Sequence, residues 1–148
     1  MKGKPSIIQL SEAKTLKAGK ARGPAFGGNL SVFQSIIGTP YCPDFTGSIL
    51  FFEDIGDELS RYDRMLGHLR QVGAFEQCAG VVFGNMSEAK DTGRKPFGFS
   101  CEEVIAEHCT PVKGPVIINA PFGHVGPFYS LPVGRTVTLT ESSIQIDP

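Results

Sequence analysis

Gly47-Ser48-Ile49-Leu50-Phe51-Phe52-Glu53-Asp54 is the stretch on which the fold turns. Ser48 to Phe52 is a continuous β-prone apolar run, the pattern of a strand covered on both faces, and it closes abruptly on two carboxylates. Downstream, Tyr62, Met65, Leu66, Leu69 and Val72 recur at three- and four-residue steps, which predicts an amphipathic helix from Ser60 to a stop at Gly73. Gly80-Val81-Val82-Phe83-Gly84 repeats the buried-strand pattern. Strand, helix and strand between 48 and 84 predict a right-handed βαβ crossover, and therefore a parallel pair.

Outward from this unit the elements become shorter. Pro5 to Gly19 carries brief apolar runs (Ile7-Ile8, Leu10, Leu16) that read as one or two strands, and Gly19 to Gly28 reads as turns. Leu30, Val32, Phe33, Ile36 and Ile37 approximate helical spacing, so a short buried helix is expected over 29–37, stopped by Gly38-Thr39-Pro40. The stretch 85–99 is polar; Ser100 with Glu103 three residues later then forms a capping-box pattern for a helix to Cys109. Pro115 to Asn119 is a third buried-strand candidate. Thr136 to Thr140 and Ile144 to Ile146 alternate around Glu141-Ser142-Ser143, as an antiparallel hairpin does. The fold class is mixed α/β: central βαβ units in a sheet with antiparallel terminal strands. A chain of 148 residues, 41% hydrophobic, is long enough for one domain with a real core and short for two, so a single domain over 1–148 is expected.

Composition excludes several partners. Fourteen basic and fifteen acidic residues give a formal charge of -1, which argues against nucleic acid. No apolar run approaches the roughly 20 residues that cross a bilayer, so no membrane association is expected. The four cysteines, Cys42, Cys78, Cys101 and Cys109, form no C-x-x-C pair and, even with His108 near Cys101, no zinc-ligand spacing. No metal or other cofactor is expected, and reduced thiols point to the cytoplasm. A two-fold homodimer is the default oligomer.

Two positions stand out for chemistry. Glu53-Asp54 directly follows an apolar strand, and side chains at the carboxyl ends of such strands face the ligand crevice of α/β sheets. The alternative is that either carboxylate merely bonds the following turn. His124, in Ala120-Pro121-Phe122-Gly123-His124-Val125-Gly126-Pro127, also follows a buried-strand candidate, with glycines that permit the backbone to turn an imidazole outward. It too has a plain reading, as a histidine hydrogen-bonded in a turn. His68 and His108 read as surface residues of the two helices. A glutamate that fixes an imidazole tautomer needs a nucleophile to serve, yet none of Ser31, Ser35, Ser48, Ser60, Ser87, Ser100, Ser130, Ser142 and Ser143 stands in a G-x-S-x-G elbow. Cys101, at an expected helix start, is the one thiol placed for activation. Gly27-Gly28-Asn29 opens a helix and offers backbone N–H groups to an anion, but lacks the lysine-bearing phosphate-loop pattern.

Taken in order, Gly23-Pro24-Ala25-Phe26-Gly27-Gly28-Asn29-Leu30-Ser31, Gly38-Thr39-Pro40-Tyr41, Ile49-Leu50-Phe51-Phe52-Glu53-Asp54, Asp63-Arg64-Met65-Leu66 and Pro121-Phe122-Gly123-His124 resemble the C-terminal half of the LD-carboxypeptidases, a family that also includes microcin C immunity peptidases. The resemblance runs from roughly Leu16 to Pro132. It implies a swivelling β/β/α domain in which Glu53 orients His124 within a Ser-His-Glu triad. The serine, in a Gly-x-Ser-Asp motif, belongs to an N-terminal flavodoxin-like nucleophile domain that would precede residue 1, so that domain is the implied partner. The implied substrates are muropeptide-like L,D-peptides losing a terminal D-alanine, with no metal used. Asp57-Glu58-Leu59-Ser60-Arg61-Tyr62 departs from the family's Glu-x-x-Tyr-Arg-Ile. Without a nucleophile the chain is expected to be inactive alone. Other readings are a non-catalytic binding or assembly module, a microcin C immunity-type domain, and a cysteine hydrolase using Cys101 or Cys109 with His124.

Overall fold

In the computed structural model, which describes residues 6–126 and 129–148, the run after Ser48 becomes strand β4 (Ile49–Ile55), the centre of the sheet. Pro5 and Pro127 lie outside the described residues. Ahead of it stand β1 (Ser6–Gln9), β2 (Lys14–Lys17), β3 (Ala21–Asn29) and α1 (Leu30–Gln34). Behind it follow α2 (Leu59–Gln71), α3 (Ala74–Gln77), β5 (Gly80–Ser87), α4 (Cys101–His108), β6 (Val116–Ile118), β7 (Thr136–Leu139) and β8 (Ser143–Ile146). The sheet order is β1-β8-β7-β3-β4-β5-β6-β2. Neighbours from β3 to β6 are parallel, while β1, β8, β7 and β2 pair antiparallel, which is the mixed sheet expected from the sequence.

The lack of polar alternation in β4 has a direct cause, since apolar material covers both of its faces. Leu50 and Phe52 point into a core shared with Leu30 and Phe33 of α1, Leu66 and Leu69 of α2, Phe75 and Val104. Ile49 and Phe51 point the other way, into a second core completed by Ile8, Val137, Leu139 and Ile144 from β1, β7 and β8. The result is three layers: helices, parallel strands, and antiparallel strands on the far face. Helix α2 presents Leu59, Tyr62, Met65, Leu66 and Leu69 inward, and each fully buried leucine there contributes about 2 kcal/mol. The capping box of α4 is formed, with Glu103 N donating to Ser100 Oγ at 3.2 Å and Ser100 N donating to Glu103 Oε2 at 2.7 Å.

Two expectations are corrected. The glycine-rich stretch 19–28 is not a run of turns but contributes most of β3, a nine-residue strand. Its glycines serve close approach: a Cβ on Gly27 would lie 1.7 Å from the Phe51 carbonyl oxygen, and one on Gly23 would lie 1.9 Å from that of Gly47. The helix expected over 29–37 shrinks to α1, whose Leu30 and Phe33 are buried while Val32 stays 65% exposed.

Candidate functional site

Strand alternation separates the two carboxylates after Phe52. Asp54 shares the helix-facing side with Phe52 and is buried, accepting hydrogen bonds from Asn29 Nδ2 (3.1 Å), Ser31 N (2.9 Å) and Ile55 N (2.8 Å). It therefore caps the start of α1, the plain role considered for this pair. It also supplies, from within the chain, the anion that the Gly27-Gly28-Asn29 turn was open to receive.

Glu53 points to the opposite face with Phe51. Phe52 pairs with Phe83 and Asp54 with Met86, so β5 places two residues, Gly84 and Asn85, against the single Glu53. Such a bulge breaks the ladder locally and re-aims side chains at a strand end.

The loop carrying His124 is stitched to that bulge. Ala120 N donates to Phe83 O (3.0 Å) and Asn85 N to Phe122 O (2.9 Å). Gly84 allows this seating, because a Cβ there would stand 2.3 Å from the Phe122 carbonyl oxygen. The Phe122 ring meets Phe51 edge-on, with centroids 6.3 Å apart. Gly123 has φ of 122° and crosses directly over Glu53, where a Cβ would come within 3.2 Å of Glu53 Cβ and Oε2. With the loop held this way, His124 Nδ1 lies 2.6 Å from Glu53 Oε2. The glutamate side chain is 14% exposed and the imidazole 45%. His124 Nε2 has no hydrogen-bond partner among the described residues.

An open depression of about 260 Å³ surrounds the pair, lined also by Gly28, Phe51, Phe122, Tyr129 and Leu131. The sequence reading named neither Tyr129 nor Leu131; their signal is apolar and aromatic character in an otherwise turn-like segment. No serine or cysteine is among the described lining residues. A carboxylate at hydrogen-bond distance from Nδ1 favours the tautomer with the proton on Nδ1 and leaves the Nε2 lone pair facing outward, the arrangement of a general base.

The remaining candidates lie elsewhere. His108 is not a surface residue: its side chain is 13% exposed, Nε2 bonds Asp63 Oδ1 at 2.8 Å, and Nδ1 is buried without a partner. Helix α4 packs on α2, and that contact buries it. His68 is half-buried, and its Nδ1 accepts from Gln34 Nε2 at 2.8 Å. Cys101 and Cys109 belong to the helix-side core, across the sheet from His124. Burial pushes the Cys101 thiol up to about 11 and the Cys109 thiol higher still, the reverse of what a nucleophilic cysteine requires. Among the described residues no group of three or more His, Cys, Asp or Glu could hold a metal ion, and no helix is long and apolar enough to cross a membrane.

Fold and site define a class: a three-layer α/β domain that presents a histidine–glutamate pair at the carboxyl ends of its parallel strands. Within that class the chain belongs to the LD-carboxypeptidase C-terminal domain family, whose model matches residues 22–139. A Synechocystis protein that carries a carboxypeptidase name is 37% identical over 121 residues, covering 82% of this chain and 40% of that protein. The microcin C7 self-immunity protein MccF of Escherichia coli is 27% identical over 134 residues, covering 88% of this chain and 38% of the relative. Among solved structures, the muramoyltetrapeptide carboxypeptidase of Oxalobacter formigenes superposes with a TM-score of 0.84 at 28% identity, over 97% of this chain and 50% of that one. The chain thus spans 38–50% of the length of these relatives.

Proposed function

We propose that the chain provides the histidine and its orienting glutamate to a serine-type LD-carboxypeptidase active site, with the nucleophile carried by a separate N-terminal domain. The observation that carries this reading is the 2.6 Å contact between His124 Nδ1 and Glu53 Oε2 beside an open depression. In the reaction, Nε2 takes the serine proton as the serine oxygen adds to the carbonyl carbon. The imidazolium then returns that proton to the leaving amine as the C–N bond breaks. Water repeats the cycle on the acyl-enzyme: Nε2 accepts its proton, its oxygen adds to the acyl carbon, and the proton passes to the departing serine oxygen. Glu53 holds the tautomer and stabilises the imidazolium in both halves. Donors for the oxyanion also come from the nucleophile domain. Without them the chain alone is inactive, since one such donor is worth about 3 kcal/mol and the nucleophile itself more.

The substrate in this reading is a muropeptide-like peptide cleaved between an L-centre and a terminal D-alanine, consumed in the cytoplasm. The muramoyltetrapeptide carboxypeptidase likeness supports it. The similarity to MccF favours a second reading, in which the same pair serves a microcin C immunity-type peptidase. Val125, Tyr129 and Val133 are 47%, 48% and 65% exposed, which suits a face that another domain covers. The test is complementation. The purified chain releases no D-alanine from an L,D-tetrapeptide, and adding the nucleophile domain of a family member restores release. Steady turnover by the chain alone contradicts the proposal, and so does failure of every such mixture.

A further inference from the structure

A second cavity, about 340 Å³, opens between α1 and α2 and is lined by Ser31, Gln34, Arg61, Arg64 and Met65. No acidic residue lines it. Arg61 is offset by Asp57, with Nη1 3.1 Å from Oδ1. Arg64 is exposed and pairs with no carboxylate among the described residues. Like charges three residues apart on a helix repel, so this placement lowers the stability of α2 and needs another reason. One turn further along the same stripe, His68 bonds Gln34 Nε2 at 2.8 Å and holds that carboxamide against the cavity. Buried Met65 forms an apolar floor beneath two guanidinium groups and a fixed amide.

The position matters as much as the charge. Ser31 N donates to Asp54, the residue beside Glu53, and Asn29 stands in register with Glu53 on the neighbouring strand. The cavity therefore lies at the same carboxyl edge of the parallel strands as the histidine–glutamate pair, on the helix side, where ligands of α/β sheets bind. We propose that it is an anion subsite that receives a carboxylate of the peptide substrate, with Arg64 as the principal donor and Arg61 as the second. A planar carboxylate suits the guanidinium fork. This inference rests on the peptide-hydrolase reading above and names the substrate class more narrowly, as a peptide with a free carboxylate.

The test reads binding rather than turnover, so it fails separately from that reading. The isotope-labelled chain is titrated by NMR with acetyl-L-lysyl-D-alanine, with its C-terminal amide, and with inorganic phosphate. The expected result is saturable shifts of the Ser31, Gln34 and Met65 amides at millimolar free acid, with the amide roughly tenfold weaker. Binding of the acid is lost in an Arg61→Gln/Arg64→Gln double variant and kept in Glu53→Gln. The spectrum away from α1 and α2 reports that the double variant is folded, as expected for two exposed side chains. Equal binding of acid and amide overturns the proposal. So do acid binding that survives in the double variant, the absence of saturable shifts at these amides, and binding of phosphate without the peptide acid.

Discussion

The protein contains two histidine–carboxylate pairs of nearly the same length, and they differ in everything that decides chemistry. Glu53 and His124 meet at 2.6 Å and Asp63 and His108 at 2.8 Å. In the first, the carboxylate is the buried partner and the imidazole is 45% exposed; in the second, the imidazole is 13% exposed and the carboxylate 44%. His124 is bound through Nδ1, which leaves Nε2 facing an open depression, whereas His108 is bound through Nε2 and its Nδ1 is sealed between helices without a partner. The first sits on a glycine-hinged loop at a strand bulge, the second at the joint of two packed helices. Contact with a carboxylate is thus not what marks a candidate acid–base residue. The mark is which nitrogen remains free and what it faces.

Mutations at the two pairs separate these roles. His124→Ala lowers D-alanine release by the complemented enzyme about 10⁴-fold or more, while His108→Ala changes it only several-fold; turnover per folded molecule is the measurement. Glu53→Gln, which preserves shape but not tautomer control, costs roughly 10³–10⁴-fold in kcat with KM little changed. The order reverses for stability. His108→Ala empties a buried joint between α2 and α4 and destabilises by about 2 kcal/mol, lowering Tm by roughly 4–8 °C, and His124→Ala moves Tm by less than that.

Gly123→Ala adds a methyl 3.2 Å from Glu53 at a backbone angle that disfavours side chains, so the loop shifts and activity falls by about 10²-fold with the fold intact; circular dichroism and turnover measured together check this. A smaller effect comes from the thiols of the helix side. Cys101 is pushed up to about 11 and Cys78 up to about 12 by burial, above the ordinary thiol value of ~8.5. In that window the unfolded chain has already released the protons that the folded chain keeps. Their stabilisation is therefore complete below ~8.5 and is lost as pH rises through the folded values. Denaturation midpoints fall between about pH 8 and 10, and Cys101→Ala flattens that slope.

What was legible in the sequence follows the same division. The run Ile49 to Phe52, the stripe of α2 and the capping box of α4 are local patterns, and each appears in the structure. Glu53 and His124 were candidates because strand ends precede them, and family motifs made the pair specific. Long-range contact was not legible. The glycines of β3 read as turns because the backbone that approaches them, at Gly47 and Phe51, lies more than twenty residues downstream. His108 read as a surface residue because its partner is 45 residues away on another helix. Nor did any local pattern choose between Glu53 and Asp54. Strand parity sends one toward His124 and the other to α1, and that becomes visible only once each face of β4 has a neighbour.

The central claim is that Glu53 holds the proton of His124 on Nδ1 and leaves Nε2 as the base. Long-range nitrogen–proton correlation spectra of the histidine rings, recorded on this chain in the neutral imidazole state, test it directly. The expected result is the Nδ1–H tautomer for His124, reverting toward the solvent-favoured Nε2–H form in Glu53→Ala, with the Nε2–H tautomer for His108 throughout. An Nε2–H tautomer for His124 in the unmodified chain contradicts the account.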